Sequence, residues 1–564
     1  MKKLISSRFG ILLLIVVLAG INYIVSFFPA RLDLTAEQRY TLSKPTKRML
    51  MELPAPVTIT VFLKGEFPAG FRKLANSAED MLRSFKEYGR GNFSFRFIQP
   101  GEGLEADAKA AFLDSLRMMG LNPLNVKAQA KEGEGSDQRL VYPGALVSYQ
   151  DRVYPVDLLQ GLSSNEGLNT LNSAEALLEY KFAGAIEKVL RDSVPIVAYA
   201  TGNGEIEDAR VEDLTNVLLN NYYPQKIDLN TTAYIPDEVG VLLIVKPTVA
   251  FTESEKLKID QYLMGGGKVV MALDPLNAEF DSLQRAQSDF IAFDRGLNLQ
   301  DQLFKYGIRI NPDLVQDIQS DKVPLVVGVV GGKPQMELIP FPYFVQLNGT
   351  QHPISKNLDK VLSYFPSSID TVTAPGVSKT MLLTTSKNAR ALQTPAIVSL
   401  NSVKTEADLA TFIKPDIPVG VLAEGAFPSM FANRLPKATA DSLKAMNRPF
   451  RNMAAPGATL VVLSDGDIFL NHVNNQEGPL PMGVNPYTRY PFANKEFFQN
   501  MMEYLVSHSG ILETRSKDFT LRLIDAKKAE QERTYWQLFN IALPVALMIA
   551  LIAVFQWRRK KKYN

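Results

Sequence analysis

Two long apolar runs lie near the ends of the 564-residue chain. The first, residues 9–28, contains no charged residue and follows the cations Lys2, Lys3 and Arg8. A run of about 20 apolar residues is long enough to cross a hydrocarbon core, and flanking cations favour the cytoplasmic side. A cleaved signal peptide is the competing interpretation, but its apolar run is shorter and residues 27–31 offer no small-x-small cleavage site. The pattern therefore predicts an uncleaved membrane helix.

The second apolar run covers residues 538–555 and lies between Trp536 and Trp557, the only two tryptophans of the chain. Tryptophans at both ends are typical of a membrane-spanning helix, and the cations at 558–562 mark a cytoplasmic end. A buried soluble helix would not end in five consecutive cations. Together the two runs predict a membrane protein with both termini in the cytoplasm and a large external part between the spans.

The residues between the spans alternate between strand and helix patterns, which is typical of an α/β protein. In the first half of this part, the patterns predict strands at 57–63 and 93–98, helices at 73–88, 106–118 and 173–191, a loop at 128–139, and a hairpin of 145–149 with 153–158.

Further along, continuous apolar runs alternate with amphipathic segments, which predicts a doubly wound, mostly parallel sheet whose strands are covered on both faces. The predicted strands are 195–200, 241–245, 268–273, 308–310 and 458–463, and the predicted helices are 210–220, 253–264, 301–306 and 495–507.

These patterns divide the chain into eight segments. They are the N-terminus with the first span (1–29), a smaller external α/β domain (30–190), the first part of the doubly wound domain (191–322), a strand- and loop-rich insertion (323–450), the return to the doubly wound domain (451–524), a charged stalk helix (525–537), the second span (538–556) and a basic tail (557–564).

Composition excludes several kinds of chemistry. The chain has no cysteine, so it has no disulfide, thiolate nucleophile or lipidated N-terminal cysteine. Its 61 basic and 59 acidic residues leave a formal charge of +2, which gives no support to nucleic-acid binding. The three histidines, at 352, 472 and 508, stand apart in the sequence and are interpreted as surface or capping residues.

No motif for ATP hydrolysis or nucleophilic catalysis is present. Gly265-Gly266-Gly267-Lys268 lacks the spacing of a phosphate-binding loop and is interpreted as a helix stop. Gly101-Glu102-Gly103 fits a dinucleotide fingerprint only superficially, because Pro100 precedes it and no acidic residue ends the next strand. No G-x-S-x-G elbow occurs. The sequence predicts a protein that is not an enzyme and that uses no cofactor or metal.

Polar residues follow three of the predicted parallel strands, where doubly wound sheets bind their ligands. Converging carboxylates there suit a sugar hydroxyl, a cation or a basic group. The alternative is that these residues only form turns, as Asp, Asn and Gly commonly do. The candidate binding residues are Thr201, Asn203, Glu205, Asp274, Asp465 and Asp467.

Several motifs resemble those of the GldG family, the auxiliary subunits of ABC transporters associated with gliding motility. Residues 31–43 resemble its juxtamembrane signature, and residues 201–205 are similar to its Thr-Gly-His-Gly-Glu motif. Further matching motifs lie at 246–248, 266–275, 465–467, 494–497 and 512–517. The sequence departs from the family at Asn203, which stands where the family often has histidine.

The resemblance implies an external module of the GldG/intraflagellar-transport-like (GIFT) group, with a glutamine-amidotransferase-like fold that here lacks the nucleophilic cysteine. It also implies a polytopic permease of the GldF type and a cytoplasmic ATPase of the GldA type as partners. Asn22, Tyr23 and Ser26 in the first span are candidate contacts to the permease.

The leading hypothesis is a non-catalytic, membrane-anchored subunit of an ABC transporter linked to gliding motility or export, with a carbohydrate or peptide as candidate ligand. One alternative is a membrane-tethered hydrolase or carbohydrate-processing enzyme that uses the strand-end carboxylates. Another is a tethered solute-binding protein.

Overall fold

The computed structural model describes residues 20, 41–65, 67–128, 137–159, 171, 174–280, 283, 289–330, 333–400, 405–474, 476–507, 510–512 and 532–563. It contains two compact units, residues 1–517 and 518–564. The first predicted span, with Asn22, Tyr23 and Ser26, lies outside the described residues apart from Gly20. So does most of the predicted stalk.

The first part of the larger unit is built on a four-stranded sheet. Its strands lie in the order β2 (Phe93–Phe97), β1 (Val57–Val61), β5 (Gly144–Tyr149) and β6 (Arg152–Asp157). Strand β1 pairs in parallel with β2 and antiparallel with β5. In chain order its elements are α1 (Lys44–Met51), β1 (Val57–Val61), α2 (Ala69–Gly89), β2 (Phe93–Phe97), α3 (Ala106–Met118), β3 (Leu124–Ala128), β4 (Asp137–Val141), β5 (Gly144–Tyr149), β6 (Arg152–Asp157) and α4 (Leu178–Leu190).

The sequence patterns of this part are largely confirmed, because its strands and helices present regular apolar faces to one core. Val57, Ile59 and Val61 of β1 are fully buried in the same cluster as Phe85 of α2 and Phe182 of α4. The predicted loop at 128–139 is wrong at its ends. Strand β3 ends at Ala128, strand β4 begins at Asp137, and the two strands pair antiparallel.

The described residues in the rest of the larger unit form a ten-stranded sheet and four two-stranded sheets. The strand order of the large sheet is β14-β15-β18-β21-β22-β10-β9-β7-β8, with β16 paired to β15. The elements are β7 (Ile196–Thr201), α5 (Glu212–Asn221), β8 (Tyr223–Asp228), β9 (Val239–Val245), α6 (Glu253–Met264), β10 (Lys268–Ala272), β11 (Phe290–Ala292), α7 (Gln300–Lys305), β12 (Ile308–Ile310), β13 (Asp313–Asp317), β14 (Ser320–Val330), β15 (Lys333–Gly349), β16 (Val361–Tyr364), β17 (Ile369–Thr371), β18 (Val377–Thr384), β19 (Ala389–Gln393), β20 (Ala396–Val398), α8 (Glu406–Leu409), β21 (Pro418–Gly425), α9 (Lys437–Ala445), β22 (Thr459–Leu463), β23 (Val473–Asn474), β24 (Gly478–Pro479) and α10 (Asn494–Val506).

One half of this sheet is parallel and covered on both faces. Strands β8, β7, β9, β10 and β22 run in the same direction. Alternate residues of these strands pack on opposite sides: Val197 lies in one cluster with Phe497 of α10, and Ala198 in the other with Leu263 of α6. This arrangement explains the continuous apolar runs of the sequence, because a strand covered on both faces buries every side chain.

The other half of the sheet is antiparallel. Strand β21 pairs antiparallel with β22, and β18, β15 and β14 continue outward in the same manner. The mixed α/β architecture is thus confirmed, whereas a mostly parallel sheet is correct only for the first half. Of the strands of residues 323–450, β15, β16, β18 and β21 join the main sheet, whereas β17, β19 and β20 pair in two-stranded sheets. Antiparallel neighbours need no crossover helix, so the strand–helix alternation does not reveal them.

The prediction that residues 301–310 repeat the parallel pattern is wrong. Strand β12 forms where it was expected, but it pairs antiparallel with β17 in a two-stranded sheet of its own. The apolar content of a short strand indicates burial and does not specify its partner.

Helix α11 (Arg533–Tyr563) belongs to the smaller unit. Its residues Arg533–Arg559 are long and apolar enough to cross a membrane, and this is the only such helix among the described residues. Tyr535, Trp536 and Phe539 contact one another near its start, and Trp557 lies near the opposite end. The length and composition of α11 therefore fit one membrane-spanning helix.

Gly425, at the end of β21, allows the close backbone packing of the antiparallel half to be tested. Gly425 has φ +130°, and a Cβ atom there would lie 2.2 Å from the carbonyl oxygen of Gly376. We expect Gly425→Ala to lower the free energy of unfolding by about 1–3 kcal/mol, because an L-residue strains this backbone. Gly91→Ala is the matched control, since a Cβ there meets nothing within 4 Å. Chemical denaturation followed by circular dichroism measures both, and equal effects would contradict the prediction.

Candidate functional site

The carboxyl ends of the parallel strands meet at one edge of the large sheet. The turn after β7 carries Asn203 and Glu205, Lys246 directly follows β9, and Asp274 follows β10. Asp465 and Asp467 follow β22. This is the edge at which ligands bind in doubly wound sheets, and the structure places five of the six predicted binding residues in two groups there.

The first group is centred on the ammonium of Lys246, which is 3% exposed. Its Nζ lies 2.6 Å from Asp467 Oδ1, 3.1 Å from Asp274 Oδ2 and 3.1 Å from Glu279 Oε2. The ammonium donates hydrogen bonds to Asp467 and Glu279, and it forms an ion pair with Asp274. The strand ends are therefore tied together through one buried cation.

Backbone amides also hold two of the strand-end carboxylates, Asp274 and Asp465. Gly466 N donates to Asp274 Oδ1 at 2.6 Å. Asp465 accepts from Ser363 Oγ at 2.6 Å and from the amides of Tyr364 and Asp467 at 2.7 and 2.8 Å. Both oxygens of Asp465 are thus occupied, and its role is to join the turn after β22 to strand β16.

Burial and mutual repulsion dominate the electrostatics of this group. Burial raises the pKa of Asp467 to about 7, although the nearby Lys246 opposes the change. Burial, together with repulsion from Asp467 and Asp274, raises the pKa of Asp465 well above its usual value. Burial alone would lower the pKa of Lys246, but attraction by Asp274, Asp467 and Glu279 outweighs burial and raises it. The ammonium therefore stays charged while the carboxylates compete for protons.

Asn203, Glu205 and Glu255 form the second group, next to the start of α6. Asn203 Nδ2 donates to Glu255 Oε2 at 2.9 Å, and Asn203 N donates to Glu205 Oε2 at 2.8 Å. Glu255 also caps α6 in a capping box with Thr252. The carbonyl of Asn203 accepts from the amides of Thr248 and Val249, and so this group lies beside the segment that carries Lys246.

Two buried oxygens of the second group lack a hydrogen-bond donor. Asn203 Oδ1 and Glu205 Oε1 have no partner among the described residues, and Asn203 and Glu205 are only 1% and 7% exposed. The contact with Glu255 fixes the orientation of the Asn203 amide, because a flipped amide would place two acceptors together. Burial raises the pKa of Glu205 to about 7.

A cavity of about 420 Å³ adjoins the first group. Asp467, Glu279, Lys246 and Arg210 contribute its charged lining, and Asn471 and His472 add polar groups. Aromatic residues form the facing lining: Phe280, Phe344, Tyr364, Phe365 and Tyr487. A volume of this size accommodates a small organic ligand.

Comparison with known families identifies the segment that carries this site. Residues 195–501 match the model of a family described as "ABC-type uncharacterized transport system", which is more than half of the chain. The chain belongs to this ABC transport auxiliary family. Its role is therefore that of an accessory protein associated with an ABC transporter.

Other comparisons cover smaller parts or are remote. Residues 36–148 match DUF7088, a domain of unknown function. Among solved structures, the chain is similar to the "mmIFT52 N-terminal domain", with 15% identity and a TM-score of 0.31, covering 55% of this chain and 97% of that one. No curated protein matches the chain.

The segment that matches the ABC transport auxiliary family contains both polar groups and the cavity. It begins one residue before β7 and extends into α10. Two of its buried residues, Lys246 and Phe365, have positive φ values of 49° and 51°. Such values are uncommon for residues other than glycine and concentrate at functional sites. Both residues line the cavity.

Among the predicted site residues, Thr201 contributes through its backbone. Its carbonyl accepts from the amide of Leu229, and it ends the pairing of β7 with β8. Lys246, Glu279 and the aromatic lining are absent from the predicted set. The position of Lys246 directly after β9 is the same signal that identified Asp274. Phe344 and Tyr364 lie in strands β15 and β16 of the antiparallel half and carry no such signal.

Three of the predicted carboxylates also have the spacing of a cation site. One oxygen each from Asp274, Asp465 and Asp467 lie within 4.8 Å of one another. The ammonium of Lys246 bonds to two of these residues, and so it supplies the positive charge that a metal would otherwise bring.

Removal of the central ammonium tests its structural role. We expect Lys246→Met to lower the free energy of unfolding by about 3–5 kcal/mol, because it leaves buried carboxylates without their partner. Lys226→Met is the matched control: Lys226 Nζ lies 2.7 Å from Glu207 Oε2, but both side chains are at least half exposed. That exposed pair is worth at most about 1 kcal/mol. Similar losses in the two variants, measured by denaturant titration, would contradict the assignment.

The raised pKa of Glu205 predicts a pH dependence of stability. The folded protein holds this proton from the ordinary value of 4.5 up to about 7. The stability that this proton contributes is therefore complete below pH 4.5 and is lost as the pH rises to about 7. The loss in the free energy of unfolding amounts to about 3 kcal/mol.

Glu205→Gln removes this titration. The stability of the unaltered protein should fall relative to that of Glu205→Gln between pH 4.5 and 7, as measured by denaturant titration at each pH. Glu207→Gln, at an exposed neighbouring position, should instead follow the unaltered protein. Parallel curves for Glu205→Gln and the unaltered protein would show that Glu205 titrates normally.

Proposed function

We propose that this chain is a non-catalytic, membrane-anchored auxiliary subunit of a bacterial ABC transporter, with an external ligand-binding module. The observation that carries the proposal is the family match, because its segment contains the sheet, the strand-end groups and the cavity. Helix α11 supplies an anchor of sufficient length and apolar composition.

The chemistry of the strand ends supports binding rather than covalent catalysis. Lys246 is buried among three carboxylates with which it forms ion pairs, and Asp465 accepts hydrogen bonds on both oxygens. Neither is therefore available as a nucleophile or a base. The chain also has no cysteine, so an amidotransferase-like module would lack its nucleophile and serve as a binding module or scaffold.

The finer assignment follows the resemblance in the sequence. The proposal places the chain with GldG-type subunits in gliding motility or export, in the bacterial inner membrane, with two spans and both termini in the cytoplasm. Its partners would be a polytopic permease of the GldF type and an ATPase of the GldA type. The residues 9–28 and 538–555 are the proposed spans, and Asn22, Tyr23 and Ser26 the proposed permease contacts.

Extraction of the complex tests this assignment. After gentle detergent extraction from native membranes and affinity purification of the full chain, we expect mass spectrometry to identify a polytopic permease and an ATPase in comparable amounts. A membrane protein of similar abundance with one span, purified in the same way, controls for nonspecific recovery. Recovery of the chain alone would contradict the proposal.

A second candidate function is a membrane-tethered hydrolase. Its support is that burial raises the pKa values of both Glu205 and Asp467 to about 7, which is the range suited to general acid–base catalysis. In this case Glu205→Gln would abolish a hydrolytic activity of the full-length protein while leaving its assembly with a permease unchanged.

A further inference from the structure

A cluster with more carboxylates than cations adjoins the cavity. Asp467 and Glu279 line the cavity together with Lys246, whereas Asp274 and Asp465 contact Lys246 and Asp467 from outside the lining. The described cations in contact with these four carboxylates are Lys246 and Arg295. Four carboxylates thus share two cations.

Arg210 does not correct this imbalance, although it lines the same cavity. Its guanidinium pairs with Asp208, with Nε at 3.0 Å from Oδ1 and Nη2 at 2.8 Å from Oδ2. The charge of Arg210 is therefore balanced by its own partner, which lies outside the cluster around Lys246.

One carboxylate oxygen of this wall remains available. Asp467 Oδ1 binds Lys246, whereas Oδ2 accepts no hydrogen bond from the described part of the chain. The side chain of Asp467 is 20% exposed and lines the cavity. Glu279, whose side chain is 40% exposed, lines it as well.

The facing wall is aromatic. Phe344 and Tyr364 contact edge to face with ring centroids 4.5 Å apart, and Phe280 contacts Phe344 at 5.1 Å. Phe280, Tyr364 and Tyr487 are only partly buried, and so part of each ring remains uncovered. Aromatic faces attract cations through their quadrupole.

We propose that this cavity binds an organic cation, with its ammonium group at Asp467 and Glu279 and its apolar part against Tyr364 and Phe365. The inference rests on the proposed ligand-binding function and specifies its ligand class. A neutral saccharide would use the same aromatic rings and polar groups, but it would leave the negative charge of the wall unbalanced. A metal ion would compete with Lys246 for the same carboxylates.

A pair of probes of equal shape and different charge tests the proposal. Choline and its neutral isostere 3,3-dimethylbutan-1-ol are titrated against the full-length protein in detergent, with saturation-transfer NMR and calorimetry as readouts. We expect choline to bind about tenfold more tightly than the alcohol, because only choline carries the cation that the wall favours.

Two variants connect this preference to the cavity. Asp467→Asn should weaken choline binding about tenfold and leave binding of the alcohol unchanged. Glu279→Gln should also reduce the preference for choline. Because Glu279 is more exposed than Asp467, this variant keeps the buried contacts. It therefore tests the proposal even if Asp467→Asn does not fold. Asp441→Asn on the exposed helix α9 makes the same charge change away from the cavity and should leave both affinities unchanged.

Three outcomes would overturn the inference. They are equal binding of choline and the alcohol, preferential binding of a neutral sugar such as N-acetylglucosamine, and saturable binding of Ca²⁺ that is lost in Asp467→Asn while choline does not bind. The second and third outcomes would retain a ligand-binding module and reject only its ligand class. The extraction experiment tests the transporter role separately, since recovery of the chain without a permease and an ATPase would contradict that role.

Discussion

The buried ammonium of Lys246 is the contact on which the rest of the site depends. Removing a cation and several carboxylates from water is costly unless each charge finds its partners. Here the Lys246 ammonium forms ion pairs with Asp274, Glu279 and Asp467. Because these residues follow β10 and β22, the cluster fixes the separate strand ends relative to one another. The positive φ of Lys246 is the conformational cost of directing its side chain into this centre.

The reversal of strand direction gives the cavity its two kinds of wall. Strand β22 is parallel to β10 and antiparallel to β21. The parallel half brings carboxylates to the edge, as the carboxyl ends of parallel strands must meet there. Phe344 and Tyr364 come from β15 and β16 in the antiparallel half. Asp465 joins the halves through Ser363 and Tyr364.

The sequence allowed the parallel half and its strand-end carboxylates to be predicted, because both depend on local patterns. Continuous apolar runs locate strands that are buried on both faces, and the polar residues that follow them must lie at one edge. The separation of Asn203 and Glu205 from the carboxylates around Lys246 could not be predicted, since it depends on how the turns pack. The aromatic wall could not be predicted either. Its strands pair antiparallel, and the register of such pairs is set by tertiary contacts rather than by helix–strand alternation.

The distribution of partners among these side chains bears on what the site can do. Asp465 accepts hydrogen bonds on both oxygens, and Lys246 forms ion pairs with three carboxylates, so these residues are committed to the structure. In these two groups, the oxygens without a donor among the described residues are Asp467 Oδ2, Glu205 Oε1 and Asn203 Oδ1. Oxygens of this kind favour partners that bring protons or positive charge. The same fold that brings carboxylates to one edge therefore leaves a surface suited to recognition.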